Sequence, residues 1–145
     1  MYSVLAVFFV LFLAGIVTGN YYLVAPLIAL GVNFTNLGFA WGGIAFNFGS
    51  QNISSYTKLV FHINKSEMTS LTQLGIKFED NPGGFVEVNL SAYTPTLAGN
   101  WLRYEIPFSH FPGVNFSQME FLGFWSPRNS SGNLLFGNLY FDLLS

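Results

Sequence analysis

The chain has 145 residues, with five Lys or Arg against seven Asp or Glu for a net charge of -2, a 51% hydrophobic and 19% aromatic composition, and no cysteine. A charged fraction of 8%, against about 25% in ordinary soluble domains, leaves no basic face for nucleic acid and no acidic tail. Without cysteine, disulfides cannot staple the fold, and 17 Phe, seven Tyr and three Trp must supply the core instead.

Residues Tyr2 to Val17 (YSVLAVFFVLFLAGIV) carry no charge, and Val17 and Gly19 stand where a signal peptidase reads small residues. This favours a secretory signal over 1–19, with a mature chain from Asn20 and an extracellular or cell-surface protein. No Lys or Arg precedes the apolar core, and apolarity continues to Val32. A retained membrane helix, or a pilin-like helix running through residue 30, therefore stands as the rival. Gly15, Gly19, Asn20, Pro26 and Gly31 interrupt that helix, each at a cost in a helix interior.

The 20–36 segment puts Tyr22, Val24, Pro26, Ile28, Leu30 and Val32 at even positions, the pattern of a strand with one bulky face. So apolar a tail needs cover. It is either the first strand of its own domain or a donor strand inserted into a neighbouring copy, with Tyr22, Val24, Ile28, Leu30 and Val32 as the subunit contact. Pro26 tells against a strand paired on both sides, because proline cannot donate to a ladder.

Over 37–145, alternating apolar stretches recur with turn residues between them, and no helix-period segment competes. Strands are predicted at Gly43 to Phe48, Thr57 to Ile63, Leu74 to Glu79, Phe85 to Leu90, Trp101 to Ile106, Gln118 to Trp125 and Leu134 to Leu143. With the tail as an eighth, this is an all-β, jelly-roll-like antiparallel sandwich. Leu59, Phe61 and Ile63 share one face of their strand, as do Leu74, Ile76 and Phe78, while Lys58, His62, Lys77, Glu79, Glu87, Asn89, Arg103 and Glu105 take the polar faces.

Six Asn-x-Ser/Thr sequons, at Asn33, Asn52, Asn64, Asn89, Asn115 and Asn129, punctuate the chain, none with proline in the middle. Random placement of its Asn, Ser and Thr would give roughly two, so the excess points to covalent N-glycans outside the cytoplasm. Asn89 falls on a polar strand face, and Asn52, Asn64, Asn115 and Asn129 fall in turns.

The phrase WLRYEIPFSHFPG at 101–113, then FLGFWSP at 121–127 and NLYFDLL at 138–144, resembles the terminal half of galactose-binding-like sandwiches that serve as carbohydrate-binding modules beside bacterial glycanases. SSYTKLVFHI at 54–63 and LGIKFED at 74–80 fit the same family's central strands. The resemblance spans about residues 41–145 and implies the sandwich fold, with sugar binding on aromatic platforms for which Trp125, Tyr56 and Tyr93 are the candidate contacts. Structural calcium is common in that family, which makes Glu79, Asp80 or Asp142 a candidate ligand, although no cofactor is expected from the sequence. The overall plan is similar to archaeal thread-type filaments, in which glycosylated sandwich subunits each insert an N-terminal tail into the next.

No catalytic arrangement competes. His62 and His110 have neither triad nor ligand-pair spacing and read as surface or turn histidines. Glu87, Glu105 and Glu120 can share an outer sheet face, as a glycosidase pair would need, yet read equally as a solvated face. The chain is thus expected to be a non-enzymatic, secreted, glycosylated subunit that polymerises by strand donation. The alternatives are a carbohydrate-binding module and a pilin-like subunit.

Overall fold

The computed structural model describes residues 9–11, 16–18, 21–25, 30–34, 42–64, 74–126 and 132–143. Two sheets face each other. The first runs β1 (Phe9–Leu11), β5 (Gly42–Gln51), β11 (Met119–Ser126), β7 (Gly75–Asp80) and β8 (Phe85–Asn89). The second runs β2 (Ile16–Thr18), β3 (Tyr21–Ala25), β12 (Gly132–Asp142), β6 (Lys58–Asn64), β10 (Trp101–Pro107) and β9 (Thr96–Ala98), with β4 (Leu30–Phe34) also on β12. Pairing is antiparallel apart from β1 beside β5.

Alternation builds the core, since every second residue of a strand points to the same face. Ile44, Phe46 and Phe48 of β5, Ile76 and Phe78 of β7, and Leu122 and Phe124 of β11 meet Leu59, Phe61 and Ile63 of β6, Tyr104 and Ile106 of β10, and Phe136, Leu139 and Phe141 of β12. Aromatic edges lock the layers together. Phe61 and Phe136 both pack on Phe124, at 5.1 and 4.7 Å between centroids. Phe78 is ringed by Phe108, Phe111, Phe116 and Phe141 at 4.5 to 6.1 Å.

The seven body strands lie where the alternation places them, with three differences, one being that Asn64 ends β6 opposite Trp101 and does not lie in a turn. β9 is absent from the sequence prediction because all three of its residues are exposed, so it has no apolar face to read. β5 continues to Gln51, where Gly49 and Ser50 take positive φ and Asn47 Oδ1 accepts from Gly49 N–H.

The apolar tail pairs within its own chain. Tyr21 to Ala25 lies along the C-terminal half of β12, and Leu30 to Phe34 along the N-terminal half of the same edge. Tyr22, Val24, Leu30 and Val32 are thus strand positions of the chain's own sheet, and Ile28 lies outside the described residues. The described parts of the stretch to residue 34 are strands, where the pilin-like reading needs one continuous helix. β1 and β2, the described parts of 1–19, both occupy outer sheet edges, so cleavage after Gly19 would remove edge strands and leave the interior pairings in place.

Candidate functional site

The outer face of the second sheet is an ordered grid. Residues of β6 that point away from the core stand in register with outward residues of both neighbours. Asn64 pairs Trp101; His62 lies between Arg103 and Gly137, Val60 between Glu105 and Tyr140, and Lys58 between Pro107 and Asp142. Trp101 starts on β10, yet its ring reaches Gly137 of β12, where an added Cβ would stand 3.3 Å from the indole. The indole therefore lies across β6, close enough to position 137 that a methyl group there would make it give by a few tenths of an ångström.

A bulge accompanies it. The β12 register shifts between Gly137 and Tyr140, and Asn138 has φ 47°. Bulges re-aim side chains, and this one separates Gly137 from Tyr140 along the outer face.

Charge is concentrated below the indole. The Glu105 carboxylate accepts from Lys58 Nζ at 2.8 Å and from the Arg103 guanidinium, and Lys58 Nζ stands 3.9 Å from Asp142. Lys58 chiefly holds the Glu105 carboxyl below its ordinary range, against the opposing effect of burial and with help from Arg103. Burial works against the charge on Arg103, but a hydrogen bond to Tyr140 and the nearby Glu105 more than offset it, so its pKa moves up. Val60 is fully buried on this side of the sheet, outside the main core.

His62 is part-buried in the strand centre rather than a surface or turn histidine. Burial, the largest influence, lowers its pKa below 6.5; the backbone of Asn138 and Gly137 raises it, and the Arg103 charge lowers it. Its Nδ1 is shielded and has no hydrogen-bond partner.

The outer face of the first sheet has a different character. Trp125 lies on Gly43 and Gly123; a Cβ at Gly123 would be 2.9 Å from the indole, and one at Gly43 would overlap the ring. Beside it Lys77 pairs with Glu79 at 2.7 Å and sits 4.3 Å over the Phe85 ring, with Glu87 covering Gly75.

The three sequence candidates for sugar contact are therefore not brought together. Trp125 is on the first sheet's outer face. Tyr56 packs on the core against Phe141 at 6.2 Å, next to Thr57, which bonds Asp142. Tyr93 also packs on the core, and its hydroxyl is 3.1 Å from His110 Nδ1. Glu87 and Glu105 lie on the outer faces of opposite sheets, so they cannot flank one glycosidic bond. Glu79, Asp80 and Asp142 have three separate settings, and among the described residues no three His, Cys, Asp or Glu cluster.

The sequence places Arg103 and Glu105 on a polar strand face but does not single out Trp101 beside them as a sugar platform. The signal was present in the i, i+2 spacing of Trp101, Arg103 and Glu105, which puts an aromatic, a cation and an anion on one strand face.

No family model matches the chain, and no curated protein matches it. Solved structures do. A family 30 carbohydrate-binding module superposes with a TM-score of 0.65 at 19% identity over 81% of this chain and 68% of that one. The chain shares the two-sheet β-sandwich fold of that module. A second family 30 module, from a cellulosomal cellulase of Clostridium thermocellum, gives 0.64 at 18% identity over 78% and 73%. A family 11 module from Clostridium thermocellum, in complex with a β-1,3-1,4-mixed-linked tetrasaccharide, gives 0.54 at 19% over 79% and 75%. At such identities the likeness is one of fold, and it does not extend to a filament plan.

Proposed function

We propose that this protein is a non-catalytic, extracellular carbohydrate-binding domain that takes a β-glucan chain on the outer face of β6, β10 and β12. The observation that carries the reading is the Trp101 indole laid over Gly137 beside Arg103, Glu105, His62 and Tyr140. A pyranose ring has an apolar face of axial C–H groups and a rim of hydroxyls. The first suits an indole face, and the second suits a border of charged and amide groups. The mixed-linked tetrasaccharide held by the family 11 module gives the ligand class to try first.

Strand donation, the leading expectation from sequence, gives way here because β3 and β4 already fill their edge in cis. An apolar tail engaged in its own sheet is what a self-contained binding module needs.

Calorimetry with the mixed-linked β-1,3-1,4 tetrasaccharide tests the reading. Binding that disappears in Trp101→Ala supports it, and no heat at millimolar ligand with the folded wild-type protein would remove it. Binding that survives in Trp101→Ala but is lost in Trp125→Ala would move the site to the other sheet.

A further inference from the structure

Three sequons share a local design. In each, the middle residue points into the protein: Ile53 is 0% exposed, Leu90 is 1% exposed, and Phe116 stacks on Phe108 at 4.1 Å and meets Phe78 at 5.3 Å. With the middle residue anchored inward, the Asn before it and the Ser after it are both exposed at all three places, Asn52 and Ser54, Asn89 and Ser91, and Asn115 and Ser117.

The Asn side chains are also oriented. Asn52 Oδ1 accepts from Ser54 N–H at 3.0 Å and from the Ser54 hydroxyl at 2.8 Å. Asn115 Oδ1 accepts from Ser117 N–H at 3.1 Å and from its hydroxyl at 2.6 Å. Asn89 Oδ1 accepts from Ser91 N–H at 2.9 Å. The amide oxygen is turned back to its own sequon, which leaves Nδ2 on the opposite side of the planar carboxamide.

We propose that Asn52, Asn89 and Asn115 are N-glycan acceptors, each carrying its sugar on Nδ2 while Oδ1 keeps the turn. The donor is a lipid-pyrophosphate-linked oligosaccharide. The bond between its anomeric carbon and the phosphate oxygen breaks, the Nδ2–carbon bond forms, an Nδ2 proton passes by way of a base on the transferase to water, and the lipid pyrophosphate leaves with the electron pair. None of the hydrogen bonds above uses the nitrogen, so the modified chain folds into the same turns. The sugars have defined places. Ile53 N–H donates to Phe116 C=O at 2.8 Å, so the Asn52 and Asn115 glycans rise side by side from one end of the sandwich. Asn89 stands in register with Gly75, which in turn pairs Trp125. Its glycan covers the first sheet and leaves the Trp101 face clear. The inference does not depend on what that face binds.

The test is site mapping on the full chain secreted from a yeast host. Release of glycans by an amidase in heavy-oxygen water should convert Asn52, Asn89 and Asn115 to labelled Asp. Ser54→Ala, Ser91→Ala and Ser117→Ala should each remove one glycan step on a gel, and the matching Ser→Thr variants should retain it. Secreted wild-type protein with unmodified Asn at these three positions overturns the proposal without reference to any variant.

Discussion

Asp80 is 4% exposed, and its carboxylate joins two loops that are far apart in sequence. Oδ1 accepts from Gly84 N–H at 2.8 Å across the β7–β8 turn, and Oδ2 accepts from Asn115 N–H at 2.6 Å. Gly84 is fitted to this contact, since a Cβ there would stand 2.8 Å from Oδ1. Hydrogen bonds to a charged group contribute about 1.5–3 kcal/mol each, and Gly84 and Asn115 are themselves exposed, so water can partly re-satisfy their N–H groups after truncation. Asp80→Ala is therefore expected near the lower end of the sum, at about 3 kcal/mol, which is roughly 10 °C in melting temperature for a domain of this size. In urea the midpoint should fall by about 1–2 M with an unchanged slope. Asp80→Asn should lose somewhat less, about 2 kcal/mol, because its amide can accept one bond but sets an NH2 against the other donor. Urea titration by tryptophan fluorescence is the assay. An Asp80→Ala protein within about 0.5 kcal/mol of wild type, the range of an ordinary surface change, would refute the clasp.

Trp101→Ala should weaken tetrasaccharide binding by at least about 2 kcal/mol, or some 30-fold, as for an aromatic hot spot, with little change in melting temperature; calorimetry and a thermal scan separate the two. Phe78→Ala, which removes the ring that four others surround, should cost about 3–5 kcal/mol in chemical denaturation. Gly43→Ala should push the Trp125 indole off the sheet, with a red-shifted emission spectrum and about 1–3 kcal/mol of destabilisation. Acid should weaken the fold through two groups of the same sign. The folded pKa values of Glu105 and His62 are both lowered, Glu105 chiefly by Lys58 and His62 chiefly by burial. Each contribution is complete above the unfolded pKa and disappears as pH falls through the folded one. Stability should thus decline first below about pH 6.5 and again below about pH 4.3, and His62→Gln should flatten the first decline in melting curves taken across pH.

How much of this was legible in the sequence depends on what each residue answers to. Leu59, Phe61 and Ile63 or Leu74, Ile76 and Phe78 declare their strands because a period of two is a local property, and a half-buried strand must obey it. Thr96 to Ala98 obeys no such rule, since its three residues are exposed and, among the described strands, β9 pairs with β10 alone. The Trp101 face escaped for a related reason. Its parts lie on three strands separated by up to 82 residues of chain, from Lys58 to Tyr140, and the bulge at Asn138 that spaces them leaves no pattern in the alternation. Trp125 looked like the better platform because it borders a Ser- and Asn-rich loop, yet the two glycines beneath it are 80 positions apart and show their purpose only in the folded register. His110 is exposed in a turn as the sequence suggests, and His62 alone departs from that reading. Spacing along the chain places His62 in a strand, but its burial between Arg103 and Gly137 depends on the register across the sheet.

The central place of β12 governs the order of events in biosynthesis. It follows the other eleven strands in the chain, yet β6 occupies one of its edges, and β3 and β4 the other. The second sheet cannot close until β12 has left the ribosome, so Tyr21 to Phe34 must wait for a partner about 110 residues downstream. During that interval the apolar tail is exposed and prone to aggregate. A chain that threads a membrane before it folds meets its glycosylating enzyme in this open state. Sugars added at Asn52, Asn89 and Asn115 would then be in place to keep the waiting intermediate soluble. The strand order thus makes the pairing of β12 the last step in closing the second sheet.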